Sequence, residues 1–387
     1  MTPRAMTVRL WSAAVATVAL ALGGTNAAAE PMFLSKQYNR CTACHYSTSG
    51  GQLTPYGRGL SRRELSTTGN NGAAPDAAAP QPAGEEAFLW GALGDRLGPL
   101  QLGIELRPAH LEYAFAGVPN SGSSRDLLMN ADLIAAYQAH GWTTYGEVGR
   151  ELTSPGWKIA SYEHWAGYQS DSGIGVRFGR FLPAYGVHFA DHTSFNRSYL
   201  GFDKYDQVYG LEVNVTTSNS ATQVMLSPGR AESIINDDGR RAFTASARTQ
   251  LEIGPRQVLV ASGIYRNASV REGRSSVVGL SYGLSPWRRV TTWTEANAQF
   301  RQGSQTETSY IVVNETAIEA IRGVWFKVSP QLRTAPDTIS GDTRRLALST
   351  ELLPRTHFNV NVSYYRDHNT SSQFLFTTWL AQFHLYL

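Results

Sequence analysis

The amino-acid sequence predicts an all-β fold, a transmembrane antiparallel barrel of about 16 strands. Three observations predict it: a low-charge, tyrosine-rich composition, period-two alternation along most of the chain, and loops that alternate long and short. Charged residues make up 17% of the 387 positions, with 34 Lys and Arg against 31 Asp and Glu. Tyr (18), Phe (15) and Trp (9) are mixed with 36 Gly and many Ser, Thr and Asn. This balance excludes a polybasic nucleic-acid binder. No body segment approaches the run of about 18 apolar residues that a spanning helix needs, which excludes a helical transporter.

The alternation is clear at several places. Tyr209, Leu211, Val213 and Val215 alternate with Gly210, Glu212 and Asn214. Val278, Leu280, Tyr282 and Leu284 alternate with Gly279, Ser281 and Gly283, and Phe358, Val360, Val362 and Tyr364 with Asn359, Asn361 and Ser363. One apolar and one polar face per strand is the pattern of a barrel with lipid outside and a wet lumen inside. Apolar and aromatic residues are therefore expected on the lipid face, small and polar ones on the lumen face.

In order, the strand-like runs are 99–115, 127–140, 142–151, 157–168, 173–182, 206–215, 219–228, 240–251, 256–266, 274–284, 288–301, 308–320, 323–332, 343–353, 356–366 and 373–387. Turn signals bound each run, and the first changes parity near Pro108, as at a bulge. Connections after odd-numbered runs are several times longer than those after even-numbered ones. Long extracellular loops, short periplasmic turns and periplasmic termini follow. A soluble β-sandwich would not produce that asymmetry.

Ahead of the barrel, Arg4 and Arg9 precede an apolar run from Leu10 to Leu22, and Ala27-Ala28-Ala29 supplies a small-residue exit. Residues 1–29 read as a secretory signal cleaved after Ala29. Cys41-Thr42-Ala43-Cys44-His45 then follows, using both cysteines of the protein. Two thiols three positions apart can add to the two vinyl groups of one haem, and the adjacent imidazole becomes the proximal iron ligand. One covalently attached c-type haem on Cys41, Cys44 and His45 is expected. A thioredoxin-like motif would need a strand-and-helix context, and a zinc site a second ligand pair; neither is present. Residues 30–65 form the haem-binding segment. Residues 66–86, rich in Ala, Pro and Gly, form a linker that as a flexible coil spans roughly 25 Å. Residues 87–387 form the barrel.

Cys41–His45 followed by Leu53-Thr54-Pro55-Tyr56-Gly57-Arg58 resembles the fused monohaem c-type cytochrome-porins of bacterial outer membranes, of the iron-oxidiser type. The match in sequence covers about 25 residues; over the barrel it is architectural. The chain ends on Leu387, whereas many outer-membrane barrels end on Phe. The resemblance implies electron transfer between an extracellular metal or redox partner, Fe(II) among them, and a periplasmic c-type cytochrome or other electron carrier. Outer-membrane lipid is the remaining expected partner, and nucleic acid is not one.

Between His45 and Glu86 there is no Met and no other His, so the haem segment has no downstream sixth ligand of its own. Met32 lies just upstream. Strand parity places His140, His357 and His384 on the lumen face near the periplasmic rim, so the sixth ligand is expected from these four residues or the position is open. Because the apolar belt of such a barrel is about 25 Å tall, a haem hanging in the periplasm would be too far from the outer surface for useful tunnelling. The haem segment is therefore expected to plug the periplasmic side or the lumen. The third outer loop, 183–205, carries His188, Asp191 and His192; porin third loops commonly fold into the lumen, which would make these a candidate iron-binding set, and the competing reading is an ordinary structured surface loop. Lumen-facing Glu105 and Arg107 read as a pore-lining charge pair.

No hydrolytic or nucleotide-binding constellation stands out. An electron conduit, including an extracellular iron oxidase, is the first functional expectation. The alternative is a diffusion or uptake porin in which the haem is a structural plug, sensor or gate.

Overall fold

The computed structural model describes residues 31–38, 44–47, 50–54, 57, 65–67, 89 and 92. From 97 onward it describes everything except 151–158, 192, 203–205, 230–242, 268–273, 303–305, 336–340, 356 and 374. Two short strands, β1 (His45–Ser47) and β2 (Gly50–Leu53), pair as a small hairpin. The wall then runs β3 (Leu100–Phe115), β4 (Ser123–Ala139), β5 (Trp142–Arg150), β6 (Ile159–Ala160), β7 (His164–Gln169), β8 (Ile174–Phe181), β9 (Val208–Thr216), β10 (Ser220–Gly229) and β11 (Phe243–Gly254). It continues through β12 (Gln257–Asn267), β13 (Arg274–Trp287), β14 (Val290–Gln302), β15 (Thr306–Ile321), β16 (Val324–Arg333), β17 (Thr343–Arg355), β18 (Phe358–Asn369) and β19 (Leu375–Tyr386).

Every wall pairing is antiparallel, and β19 closes on β3, setting Trp379 opposite Glu112 and Leu385 opposite Leu106. β6 and β7 both pair with β5 and form one pass, so the closed barrel has the sixteen passes expected. That pass breaks at 161–163, where Tyr162 and Glu163 are buried and the Glu147 N–H donates to the Glu163 carbonyl. The expected bulge occurs between Arg107 and Pro108, but its extra residue, Met129, belongs to β4. β3 therefore keeps its parity. Ala109 and Leu111 stay on the lumen side with Met129, Ala347, Tyr365 and Leu380, while His110 is exposed outside.

The outward registers are apolar and open to the surroundings. Leu211, Val213 and Val215 are 43–49% exposed, whereas Glu212 between them is 1% exposed. Trp142 and Trp287, beside the short turns, and Trp379 add aromatic surface, as expected at a membrane interface. Among the described residues no helix is long and apolar enough to cross a membrane. Leu280, in the middle of β13, points outward. Replacing it with arginine places a charge in the apolar belt, with an expected cost of about 2–4 kcal/mol in unfolding free energy measured by denaturant titration in lipid vesicles.

The lumen departs from the polar lining expected. Its faces on β12–β15 carry Val258, Val260, Ile264, Val277, Trp293, Ile311 and Val313, all buried in one apolar cluster. An apolar face inside a barrel is stable only when something apolar covers it. The cover comes from the chain itself.

Candidate functional site

The third outer loop supplies most of the cover. Tyr185, Val187, Phe189, Phe195, Leu200 and Phe202 pack into the lumen cluster, with Tyr185 stacked on Phe202 at 4.4 Å between ring centres. A one-turn helix, α1 (Phe195–Ser198), sits within the loop. Folding a loop into a barrel buries its backbone, and each buried amide or carbonyl then needs a partner. Arg248 Nε donates to the Gly186 carbonyl at 2.8 Å, and Arg266 donates to the Leu200 and Gly201 carbonyls at 2.6 and 2.8 Å. Arg345 donates to the Thr193 carbonyl at 2.7 Å while making a two-point pair with Asp367. Its guanidinium lies 4.9 Å from the Phe195 ring centre and 5.0 Å from that of Tyr365.

The loop amides find partners in the same way. Phe195 N–H donates to Gln331 Oε1 at 2.8 Å and Gly186 N–H to Ser262 Oγ at 2.9 Å. Glu295, 1% exposed, is the hub. Its carboxylate accepts from Val187 N (2.7 Å), Ser281 Oγ (2.9 Å), Asn196 Nδ2 (3.0 Å) and Asn297 Nδ2 (3.1 Å). Burial, and then the Glu295 carboxylate, push the Tyr185 phenol well above its usual range. It stays protonated and donates to Asn297 Oδ1 at 2.6 Å.

From the opposite side the N-terminal segment enters the barrel. The 3-10 turn Pro31–Lys36 packs on β13, β14 and β15, and its Leu34, fully buried, joins the third-loop cluster. Met32, Phe33, Cys44 and Leu65 form a second cluster with Ala317, Trp325 and Leu353 on the inner faces of β15, β16 and β17. Lys36 is bound to Glu319 on β15, and its Nζ lies 5.4 Å from the Trp325 ring centre. Ser66 and Thr67 close the segment on the β15–β16 turn and the end of β17: Arg322 Nε donates to the Ser66 carbonyl and Thr67 N–H to the Leu353 carbonyl, both at 2.9 Å.

The sequence-derived haem residues are placed unevenly. Cys41 lies outside the described residues, as does the side chain of His45, the first residue of β1. Cys44 is 2% exposed. Its carbonyl accepts from Thr54 N–H at 2.7 Å, and a Cβ on Gly57 would stand 2.3 Å from that oxygen, so only glycine permits the approach. The apolar setting of Cys44 is compatible with a thioether-linked haem. Apolar side chains surround the sulfur, and the buried Trp325 Nε1 has no acceptor among the described residues, leaving an N–H for an anionic group such as a propionate.

Of the candidate sixth ligands, Met32 shares the Cys44 cluster. His384 faces inward on β19, where Nε2 is 3.2 Å from Glu105 Oε1 and 3.4 Å from Arg107 Nη2, and the expected Glu105–Arg107 pair forms at 2.7 Å. His357 is buried, with Nδ1 2.7 Å from the Tyr386 carbonyl. Both His140 and His357 leave the strand register expected of them. His140 (φ 52°) and Gly141 (φ 80°) form the two-residue turn between Ala139 and Trp142, exposing the imidazole, and His357 (φ 74°) occupies the turn before β18.

In the third loop His188 Nε2 lies 3.1 Å from the Tyr185 carbonyl, and Asp191 accepts from Thr193 N and Oγ1 through one oxygen. His192 lies outside the described residues. Among the described residues no three His, Cys, Asp or Glu side chains converge on a metal-ion position. The lumen core on β12–β15 did leave a trace in the sequence. Val258-Leu259-Val260 and Ile311-Val312-Val313 are apolar on both faces, which a lipid face alone does not require.

No family model matches the chain, and no curated protein matches it in sequence. Solved structures do match in fold. A Pseudomonas putida OprB structure superposes with a TM-score of 0.60 at 9% identity, covering 85% of this chain and all of that one. Salmonella typhi OmpF, in complex with daunomycin, gives 0.58 at 10% identity, covering 74% of this chain and 97% of that one. An anion-selective porin from Comamonas acidovorans gives 0.55 at 9%, covering 74% and 99%. The chain thus has the fold of the outer-membrane porins, a closed sixteen-stranded barrel, with its lumen occupied by its own third loop and N-terminal segment.

Proposed function

We propose that the protein is an outer-membrane electron conduit in which a monohaem c-type segment, seated inside a porin-type barrel, moves electrons between an extracellular redox partner and a periplasmic carrier. The observation that carries this reading is the packing of Cys44 against Trp325, Leu353 and Ala317 on the inner wall. It supports the reading because Cys44, one of the two proposed attachment cysteines, packs on the inner wall. Cys41 and Cys44 would hold the haem by thioether bonds and His45 would be its proximal ligand; bound there, the group supplies a one-electron carrier.

The chain's own residues hold the segment in place and exclude water from it. Lys36–Glu319, Leu34 and Thr67 anchor it, and the third loop covers it from the outer side. Lumen charges are locally neutralised: Arg177 by Glu212 at 2.9 Å, Arg345 by Asp367 at 2.7 Å, Lys327 by Glu351 at 2.5 Å. A lumen so filled and paired favours electron passage over solute flux, and Fe(II) is a reductant of suitable chemistry on the outside.

The second reading, a diffusion porin with the haem as plug, sensor or gate, is favoured by the porin fold itself. Vesicles carrying the haem-loaded protein and an enclosed redox dye separate the two. External reductants too large for the pore are expected to reduce the enclosed dye; solute efflux without dye reduction sinks the conduit.

A further inference from the structure

We propose that Met32 is the sixth ligand of the haem iron. The inference rests on the reading above, that Cys41 and Cys44 carry a haem and His45 binds its iron.

The proximal imidazole follows Cys44 directly in the chain, so the opposite ligand must come from the surroundings of the same pocket. Cys44 shares its buried cluster with Met32, Phe33, Leu65, Ala317, Trp325 and Leu353. Of these apolar neighbours Met32 carries a thioether that can donate a lone pair to iron, and it is 1% exposed. The other methionines of the barrel are built into different parts of the wall: Met129 packs with Tyr365 and Leu380, Met225 with Tyr145 and Phe181.

Met32 is also held where it stands. The turn that bears it is fixed on the C-terminal side of Met32, by the Lys36–Glu319 ion pair and by Leu34 in the third-loop core. Within the turn, Ser35 Oγ donates to the Met32 carbonyl at 2.7 Å and Tyr38 N–H to the Phe33 carbonyl at 3.2 Å. A ligand fixed by its surroundings loses little conformational freedom on binding, which matters for a flexible side chain such as methionine.

The histidines have contacts of their own. His384 belongs to the Glu105–Arg107 group on β3 and β19. His357 is oriented by the Tyr386 carbonyl, and His140 is exposed in its turn. A thioether is a soft ligand that favours ferrous over ferric iron and raises the reduction potential relative to two imidazoles. That suits a carrier accepting electrons from a weak extracellular reductant.

The test uses the full-length haem-loaded protein and its Met32→Ala and Met32→His variants, read by ferric and ferrous absorption, electron paramagnetic resonance and potentiometric titration. The expected wild type shows a low-spin ferric haem with the weak long-wavelength sulfur-to-iron charge-transfer band. Met32→Ala is expected to lose that band and become high-spin. Met32→His is expected to stay low-spin without the band, at a lower midpoint potential, and it keeps the test decisive if alanine loosens the segment. Unchanged spectra and potential in both variants, or loss of the low-spin state in His357→Ala or His384→Ala but not in Met32→Ala, overturns the assignment. A polypeptide that takes no haem stain when matured with the c-type attachment machinery overturns the underlying haem reading instead.

Discussion

Glu295→Ala is expected to convert a closed barrel into a conducting one. The carboxylate is 1% exposed and accepts four hydrogen bonds, two of them from the third-loop groups Val187 N–H and Asn196 Nδ2. Alanine removes every acceptor at once and leaves buried donors without partners, at a cost of about 3–4 kcal/mol. The cost falls on the loop, because Ser281 and Asn297 stay in the wall ladder whatever the loop does. Planar-bilayer recording is expected to show steady ion conductance that the parent protein lacks, and hydrogen exchange to show faster exchange across 185–200. Glu295→Gln, which keeps one acceptor oxygen, is expected to fall between the two. A parent protein that already conducts like an open porin would show that the third loop does not close the lumen.

Glu212→Ala is expected to lower the stability of the whole barrel by about 3–5 kcal/mol, because it strips a buried guanidinium of its carboxylate. Arg177 and Glu212 face each other across β8 and β9 at 2.9 Å, with side chains 7% and 2% exposed. The guanidinium is also enclosed by Phe181 and Trp165, whose ring centres lie 4.0 and 5.3 Å away, so water cannot easily replace the lost partner. The effect is read as a lower denaturant midpoint for the folded, heat-modifiable band on electrophoresis. Replacing both residues, Arg177→Met with Glu212→Leu, is expected to recover much of the loss, since an apolar pair of similar volume leaves no buried charge. A single-variant midpoint equal to that of the parent would mean that Arg177 reaches water in the lumen.

Much of the barrel was legible residue by residue. Leu211, Val213 and Val215 against Glu212 give a strand with one apolar outward face and one polar lumen face. The bulge at Pro108 was visible, but which strand carried the extra residue was not, because a bulge is a property of a pair. His140 and His357 were misplaced by parity counting. A strand's last residue and a turn's first residue look alike in sequence, and only the backbone angle separates them. The lumen core left only two-faced apolar runs such as Ile311-Val312-Val313 in the sequence; the third loop and the N-terminal segment were candidates for the lumen, but not as the apolar cover of these runs.

The sequence by itself therefore determined the elements with local causes: the period of each strand, the alternation of loop lengths, and the Cys41–His45 spacing on which the proposed haem rests. All three depend on residues a few positions apart. Tertiary structure decided how the barrel is filled, that is, which wall residues hold the third loop and the N-terminal segment. Whether Arg248, Arg266 and Arg345 line a pore or clasp a loop, and whether Met32 or a histidine stands beside Cys44, depends on residues far apart in the chain. Closure of the sheet puts those residues in a shared, water-poor space, where every polar group must find a partner and every apolar face a cover.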